Sequence, residues 1–204
     1  TAVDASVAAQ IVLNLVEPQS SGIGGGAFML FWDAAERQLH TLDGRETAPA
    51  AADANYFLDA NGAPLKWREA MVGGRAVGVP GTLHLLHTAH NLFGKKPWAE
   101  LFKPGITLAT EGFSVSPRLA QSIASAADRG LLKFAPARGY FFTASGDPLP
   151  VGFTLKNQLF ADTLRQISQE GIAPFYQGPI AQRLLKALED TSARPALMTT
   201  EDLA

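Results

Sequence analysis

Arg45 is the residue of this sequence best suited to hold something charged. It stands in the run Leu42-Asp43-Gly44-Arg45-Glu46-Thr47-Ala48-Pro49, at the exit of a segment that reads as a strand. A guanidinium is a rigid, permanently charged fork of donors that can meet a carboxylate at two points. Asp43 and Glu46 flank it, so a purely structural ion pair is the competing reading; Glu46 either orients Arg45 or only neutralises it. Upstream, Ser20-Ser21-Gly22-Ile23-Gly24-Gly25-Gly26 offers hydroxyls and permissive backbone. Glycines allow positive φ and close approach, and successive glycine N–H groups can form an anion-binding nest. The loop lacks the Lys-Ser/Thr of a P-loop and precedes a strand rather than a helix, so a tight packed turn is the plainer expectation.

Other chemistry-bearing residues are weaker candidates. His84, His87 and His90 lie three apart on a helical segment, which suggests a metal. Evenly spaced triplets drift round a 3.6-residue helix and no acidic ligand is adjacent, so a partly exposed helix face is expected and no metal is assigned. Thr1 is N-terminal and Thr199-Thr200 is a second candidate, but both stand where a helix begins and read as caps.

The elements that position these residues can be read in outline. Ala2 to Val16 is apolar nearly all round and reads as a helix buried in something larger. Ala27 to Trp32 and Gln38 to Leu42, joined by the polar turn Asp33–Glu36, read as a hairpin. Asp53 is expected to cap a short helix ending near Asp59, with a turn at Asn61-Gly62. A second glycine-rich stretch, Gly73 to Gly81, leads into a helix over Thr82–Leu92. Pro97 suits a first helical position, and Pro104 should kink or break the helix begun there. Ser116-Pro117 restarts a helix that runs to about Asp128. Lys156 to Glu170 is predicted helical, with Leu159, Phe160, Leu164 and Ile167 on one stripe and Gly171 just past its end. Pro179 opens another helix, with Ile180, Leu184 and Leu188 on one side.

The 204 residues can fill one domain, 1–204. A net charge of −2 without a basic run argues against nucleic acid and anionic membrane as partners. The longest apolar stretch, around Val7 to Val16, is interrupted by Gln10 and Asn14 and is too short for a membrane segment. The absence of cysteine excludes thiolate chemistry and fits an exported protein. Thr1 opens directly into a helix, and the chain stops about one turn into the helix begun at Thr199. The sequence is therefore expected to be an incomplete fragment of a longer polypeptide.

The run PQSSGIGGGAFML followed by LDGRETAPA resembles the large-subunit segment of the γ-glutamyltranspeptidase (glutathione hydrolase) family. Further matches are Ala2-Val3-Asp4-Ala5, Gly78-Val79-Pro80-Gly81, Phe93-Gly94, Trp98-Ala99-Glu100-Leu101, Glu111-Gly112-Phe113, Phe175-Tyr176-Gln177-Gly178 and Thr200-Glu201-Asp202-Leu203. Several motifs in the right order make the signal specific; Leu131 to Asp147 carries none.

The resemblance implies an α+β fold, part of the α/β/β/α sandwich of N-terminal-nucleophile hydrolases. Residues 1–52 would supply a core helix and hairpin, and 53–204 a largely helical covering. It implies γ-glutamyl transfer from, or hydrolysis of, glutathione through a γ-glutamyl-threonine intermediate, with no cofactor and no metal. It also implies a partner, the small subunit of the same precursor, and a periplasmic or extracellular location. The nucleophile would lie outside these residues, so no catalytic residue is expected here and neither Thr1 nor Thr199-Thr200 is assigned. What carries over is Arg45, as the holder of the α-carboxylate of the γ-glutamyl group, with Glu46 as a possible support. A related acylase acting on a cephalosporin or poly-γ-glutamate amide, and a non-enzymatic anion-binding domain, are the alternatives.

Overall fold

A computed structural model describes residues 1–189 and 195–204. The chain opens with α1 (Ala2–Val16), capped reciprocally by Thr1 and Asp4. Asp4 is buried and also accepts the Lys95 N–H at 3.1 Å, which ties the start of α1 to a distant connection. Val3, Val7, Ile11 and Leu15, four apart, form the buried stripe of α1.

β1 (Ala27–Asp33) and β2 (Gln38–Gly44) form the expected antiparallel hairpin, with Ala27 opposite Gly44 and Phe31 opposite His40. Asp33 Oδ1 accepts the N–H groups of Ala35 and Glu36 and so shapes the turn. The apolar run of β1 is not buried on both sides. Ala27, Met29 and Phe31 pack on the core, whereas Phe28, Leu30 and Trp32 are 67%, 73% and 57% exposed. A strand turns alternate side chains to opposite faces, so this hairpin presents one uncovered apolar face.

The segment around Asp53 is not a helix. Asp53 Oδ1 takes the Asn55 N–H at 2.9 Å, and an isolated bridge between Leu58 and Pro64 closes the turn at Asn61-Gly62. An aspartate that bonds its own backbone two residues on offers the chain an alternative to helix. A short α2 (Trp67–Ala70) and a 3₁₀ turn at Gly74–Ala76 come next, then α3 (Thr82–Phe93).

α4 (Trp98–Glu111) begins one residue after Pro97 and continues past Pro104. The expected break does not occur: the helix continues with Pro104 exposed, as is Glu100, whose carbonyl loses its N–H partner there. The neighbouring Gly105 is buried against α1: a Cβ there would stand 2.8 Å from Ile11 Cγ2.

β3 (Phe113–Ser114) leads to α5 (Pro117–Ala127), a 3₁₀ turn at Leu131–Lys133 and α6 (Ala135–Phe141). β4 (Thr154–Leu155) pairs antiparallel with β3. α7 (Gln158–Glu170) is capped by Asn157 and buries Ala161, Leu164 and Ile167. Leu159, expected on that stripe, is 83% exposed, because five residues before Leu164 is the wrong side of a 3.6-residue helix. α8 (Ala173–Tyr176), α9 (Pro179–Glu189) and α10 (Thr200–Leu203) complete the described elements.

Two apolar cores result. One gathers α1, the inner face of the hairpin, α3, α4, α7, α8 and α9; the other lies under α5, α6 and the β3–β4 pair. No described helix is long and apolar enough to cross a membrane.

Candidate functional site

The end of β2 is fixed by backbone packing against α3. A Cβ on Gly44 would stand 2.5 Å from Leu85 Cβ and 2.9 Å from the Gly81 carbonyl oxygen. Only glycine fits that approach. Asp43 Oδ1 accepts the Arg45 N–H at 2.9 Å, and Val79 N–H donates to the Thr47 carbonyl at 2.8 Å. Arg45 is thus held between a strand end and a bridge, with its side chain 64% exposed. Asp43 acts on the main chain, so the ion-pair partner of Arg45 is Glu46.

Glu46 Oε2 lies 2.9 Å from Arg45 Nη1. The approach is oblique: an ion pair by distance, without an aligned hydrogen bond, although Oε2 is closed to solvent. The Glu46 side chain lies against glycines. A Cβ on Gly26 would collide with Glu46 Oε2 and approach its backbone nitrogen to 2.6 Å, and a Cβ on Gly78 would meet Glu46 Cβ at 2.9 Å.

That packing agrees with a tight packed turn, the plainer of the two expectations for the glycine loop. None of Gly22, Gly24, Gly25 and Gly26 takes a positive φ. The N–H groups of Ser20 and Ser21 turn back to the Glu17 carbonyl, and that of Gly25 to Gly22. The Gly25 carbonyl accepts from Gly81 and Thr82, both at 2.9 Å, so the loop engages the first N–H groups of α3. Ser21 Oγ is tied to Gln10 and Asn14 of α1. The loop is a packed joint between the two glycine-rich stretches, and three of its N–H groups, those of Ser20, Ser21 and Gly25, are taken by nearby main-chain carbonyls.

Beside this joint is an open cleft of about 610 Å³, lined by Arg45 and Glu46, the glycine loop, the end of α1 from Gln10 to Glu17, and Arg118. Arg118 was not singled out from the sequence. Its Nε is 3.0 Å from Glu17 Oε2, and its Nη2 donates to Ser20 Oγ at 3.1 Å. The available signal was Ser116-Pro117, which sets Arg118 in the first turn of α5, where a helix dipole disfavours a cation.

The other candidates have structural positions. Thr1 caps α1 at the end opposite Glu17, about 24 Å away by helix rise. Thr199 caps α10 reciprocally with Asp202, whose Oδ1 also accepts the Ala50 N–H at 2.7 Å. His87 and His90 stand 5.4 and 5.2 Å from the Trp98 ring, and His84 stacks edge-on against Tyr176. His90 Nε2 is 2.8 Å from the Lys96 carbonyl. Burial first, then His84 and His90, lowers the His87 pKa below its ordinary value. Among the described residues, the set with three ligand atoms within 4.8 Å is Asp33, Glu36 and His40 at the hairpin tip, where Asp33 already serves the turn.

The family model described as Gamma-glutamyltranspeptidase matches residues 1–204. The glutathione hydrolase proenzyme of Bacillus subtilis (strain 168) is 38% identical over 202 residues, 99% of this chain and 33% of that protein. The chain therefore spans about a third of the length of such relatives. The crystal structure of Helicobacter pylori γ-glutamyltranspeptidase superposes with a TM-score of 0.92 at 33% identity, covering all of this chain and 56% of that one. A cephalosporin acylase from Bacillus halodurans superposes with a TM-score of 0.82 at 29% identity, covering 37% of that chain.

Proposed function

The chain belongs to the γ-glutamyltranspeptidase family, and from that premise we propose that it forms the donor-binding part of an enzyme that hydrolyses or transfers γ-glutamyl groups, glutathione being the substrate. Its fold class is the α+β sandwich of the N-terminal-nucleophile hydrolases, of which these residues contribute a hairpin and much helical covering.

The observation that carries the reading is Arg45, braced at both neighbours and open to a cleft. The guanidinium receives the α-carboxylate of the glutamyl group, and Glu46 supports it by charge at Nη1. Holding that head group sets the γ-carbonyl in place for attack, which converts an encounter into an oriented reaction. The attacking hydroxyl is a threonine elsewhere in the polypeptide, freed by self-cleavage, with its own α-amino group as base. Its oxygen bonds the γ-carbonyl carbon, the amide nitrogen leaves with a proton, and water or an amine then takes the γ-glutamyl group from the ester. Thr1 and Thr199 are engaged as helix caps, which supports looking elsewhere.

The uncovered face of Phe28, Leu30, Trp32 and Leu39 is where the second sheet of the sandwich, from the small subunit of the same precursor, packs. The cysteine-free composition supports an exported, periplasmic or extracellular protein.

The likeness to a cephalosporin acylase favours a second reading, the same machinery on a different amide. Assaying the complete protein on γ-glutamyl-p-nitroanilide, a cephalosporin side-chain amide and poly-γ-glutamate separates the two. Preference for the γ-glutamyl anilide is expected; faster turnover of either other amide overturns the assignment.

A further inference from the structure

We propose that Arg118 recognises the terminal carboxylate of the peptide from which the γ-glutamyl group is removed. This rests on Arg45 being the holder of the glutamyl α-carboxylate. A γ-glutamyl tripeptide carries two carboxylates, one on the glutamyl α-carbon and one at its C-terminus. With the first on Arg45, the second needs a cation on the same cleft, and among the described lining residues Arg118 is the other one. An extended tripeptide is about 10 Å long, and a cleft of about 610 Å³ is of the size that holds small ligands.

The local construction repeats that at Arg45. Each guanidinium is braced by a glutamate on the same cleft, Glu46 for Arg45 and Glu17 for Arg118, and each keeps much of its fork open. Arg118 is 69% exposed, and its contacts to Glu17 and Ser20 use Nε and Nη2. Two physical points set a purely structural role aside. An ion pair whose cation is 69% exposed is screened by water and stabilises a fold modestly. A cation in the first turn of α5 also opposes the helix dipole, so the helix itself gives no reason for it. Recognition of a remote carboxylate has a purpose in the reaction: binding energy gained away from the scissile bond orients the amide for attack. Arg118 takes part in no covalent step.

The same chemistry could be used for the carboxylate of an acceptor peptide, and the test separates the two. In the complete, processed protein, glutathione and its C-terminal amide are compared as donors, for wild type and Arg118→Gln. The wild type should favour the acid about tenfold in kcat/KM, in line with one charge-assisted contact, and the variant should lose that preference. An equal fall for both donors marks a structural role and overturns the proposal, as does an unchanged preference. A third arm uses γ-glutamyl-p-nitroanilide as donor, with glycylglycine or its amide as acceptor. A variant that alters discrimination only there overturns the assignment to the donor. Arg45→Lys is run alongside on γ-glutamyl-p-nitroanilide. If its KM is unchanged, the reading of the cleft fails. If it rises while Arg118→Gln keeps the acid preference, only the role of Arg118 fails.

Discussion

Glu46 Oε2 lies 2.9 Å from Arg45 Nη1, and the carboxylate that makes this contact rests on the backbone of Gly26. The joint is therefore set by the absence of a side chain as much as by charge. Its first consequence concerns the glycines. Gly26→Ala forces a methyl into Glu46, whose backbone nitrogen cannot swing away, and should destabilise the protein by about 1–3 kcal/mol, the range for overpacking. Gly24→Ala has open space and should change stability by no more than about 0.5 kcal/mol. Chemical denaturation of both variants checks the pair; equal effects would contradict the packed-joint account.

Tyr176 connects α8 to the second glycine-rich stretch. Its hydroxyl donates to the Pro80 carbonyl and accepts the His84 N–H, both at 3.1 Å. Tyr176→Phe leaves those groups without that partner and should cost about 1–3 kcal/mol. Burial also pushes the Tyr176 pKa up to about 12. Between pH 10 and 12 the folded state therefore binds more protons than the unfolded state, so this contribution is full below pH 10 and is lost as pH rises toward 12. Unfolding free energies measured from pH 9 to 12 should fall less steeply in the variant than in the wild type. Parallel slopes would remove Tyr176 from the account.

The uncovered face of the hairpin gives a third expectation. Leu30 is 73% exposed and points away from the described core. Leu30→Lys should leave the folding of these residues nearly unchanged but oppose burial of that face under a second sheet, since a buried unpaired ammonium is costly. In the complete protein the two processed subunits should then separate on size-exclusion chromatography. Co-elution at the wild-type ratio would contradict the assignment of the partner to this face.

How far the sequence discloses the fold depends on the range of the interactions involved. Helix α1 and the hairpin are legible because periodicity, caps and turn residues are local signals. The run that carries Arg45 is contiguous, so it stands out in the sequence, and the structure sets that residue on a cleft. The outcome at Pro104 is not legible, since the helix continues past it while the neighbouring Gly105 packs against Ile11, a contact between residues far apart in the chain. Asp53 misleads because the same side chain can start a helix or close a turn. The pairing of Phe113 with Leu155, and the meeting of Arg118 with Glu17, join residues far apart in the chain and leave no periodic trace. The glycine loop suggests two uses, and only the positions of Glu46 and α3 separate them.

The most direct measurement is the KM of the complete, processed protein for γ-glutamyl-p-nitroanilide with Arg45 replaced by lysine. An ammonium keeps the charge but loses the two-point fork, so KM should rise about tenfold to a hundredfold, the loss expected for one or two charge-assisted contacts, with the fold unchanged by circular dichroism. A KM equal to that of the wild type would place the glutamyl head group somewhere other than Arg45.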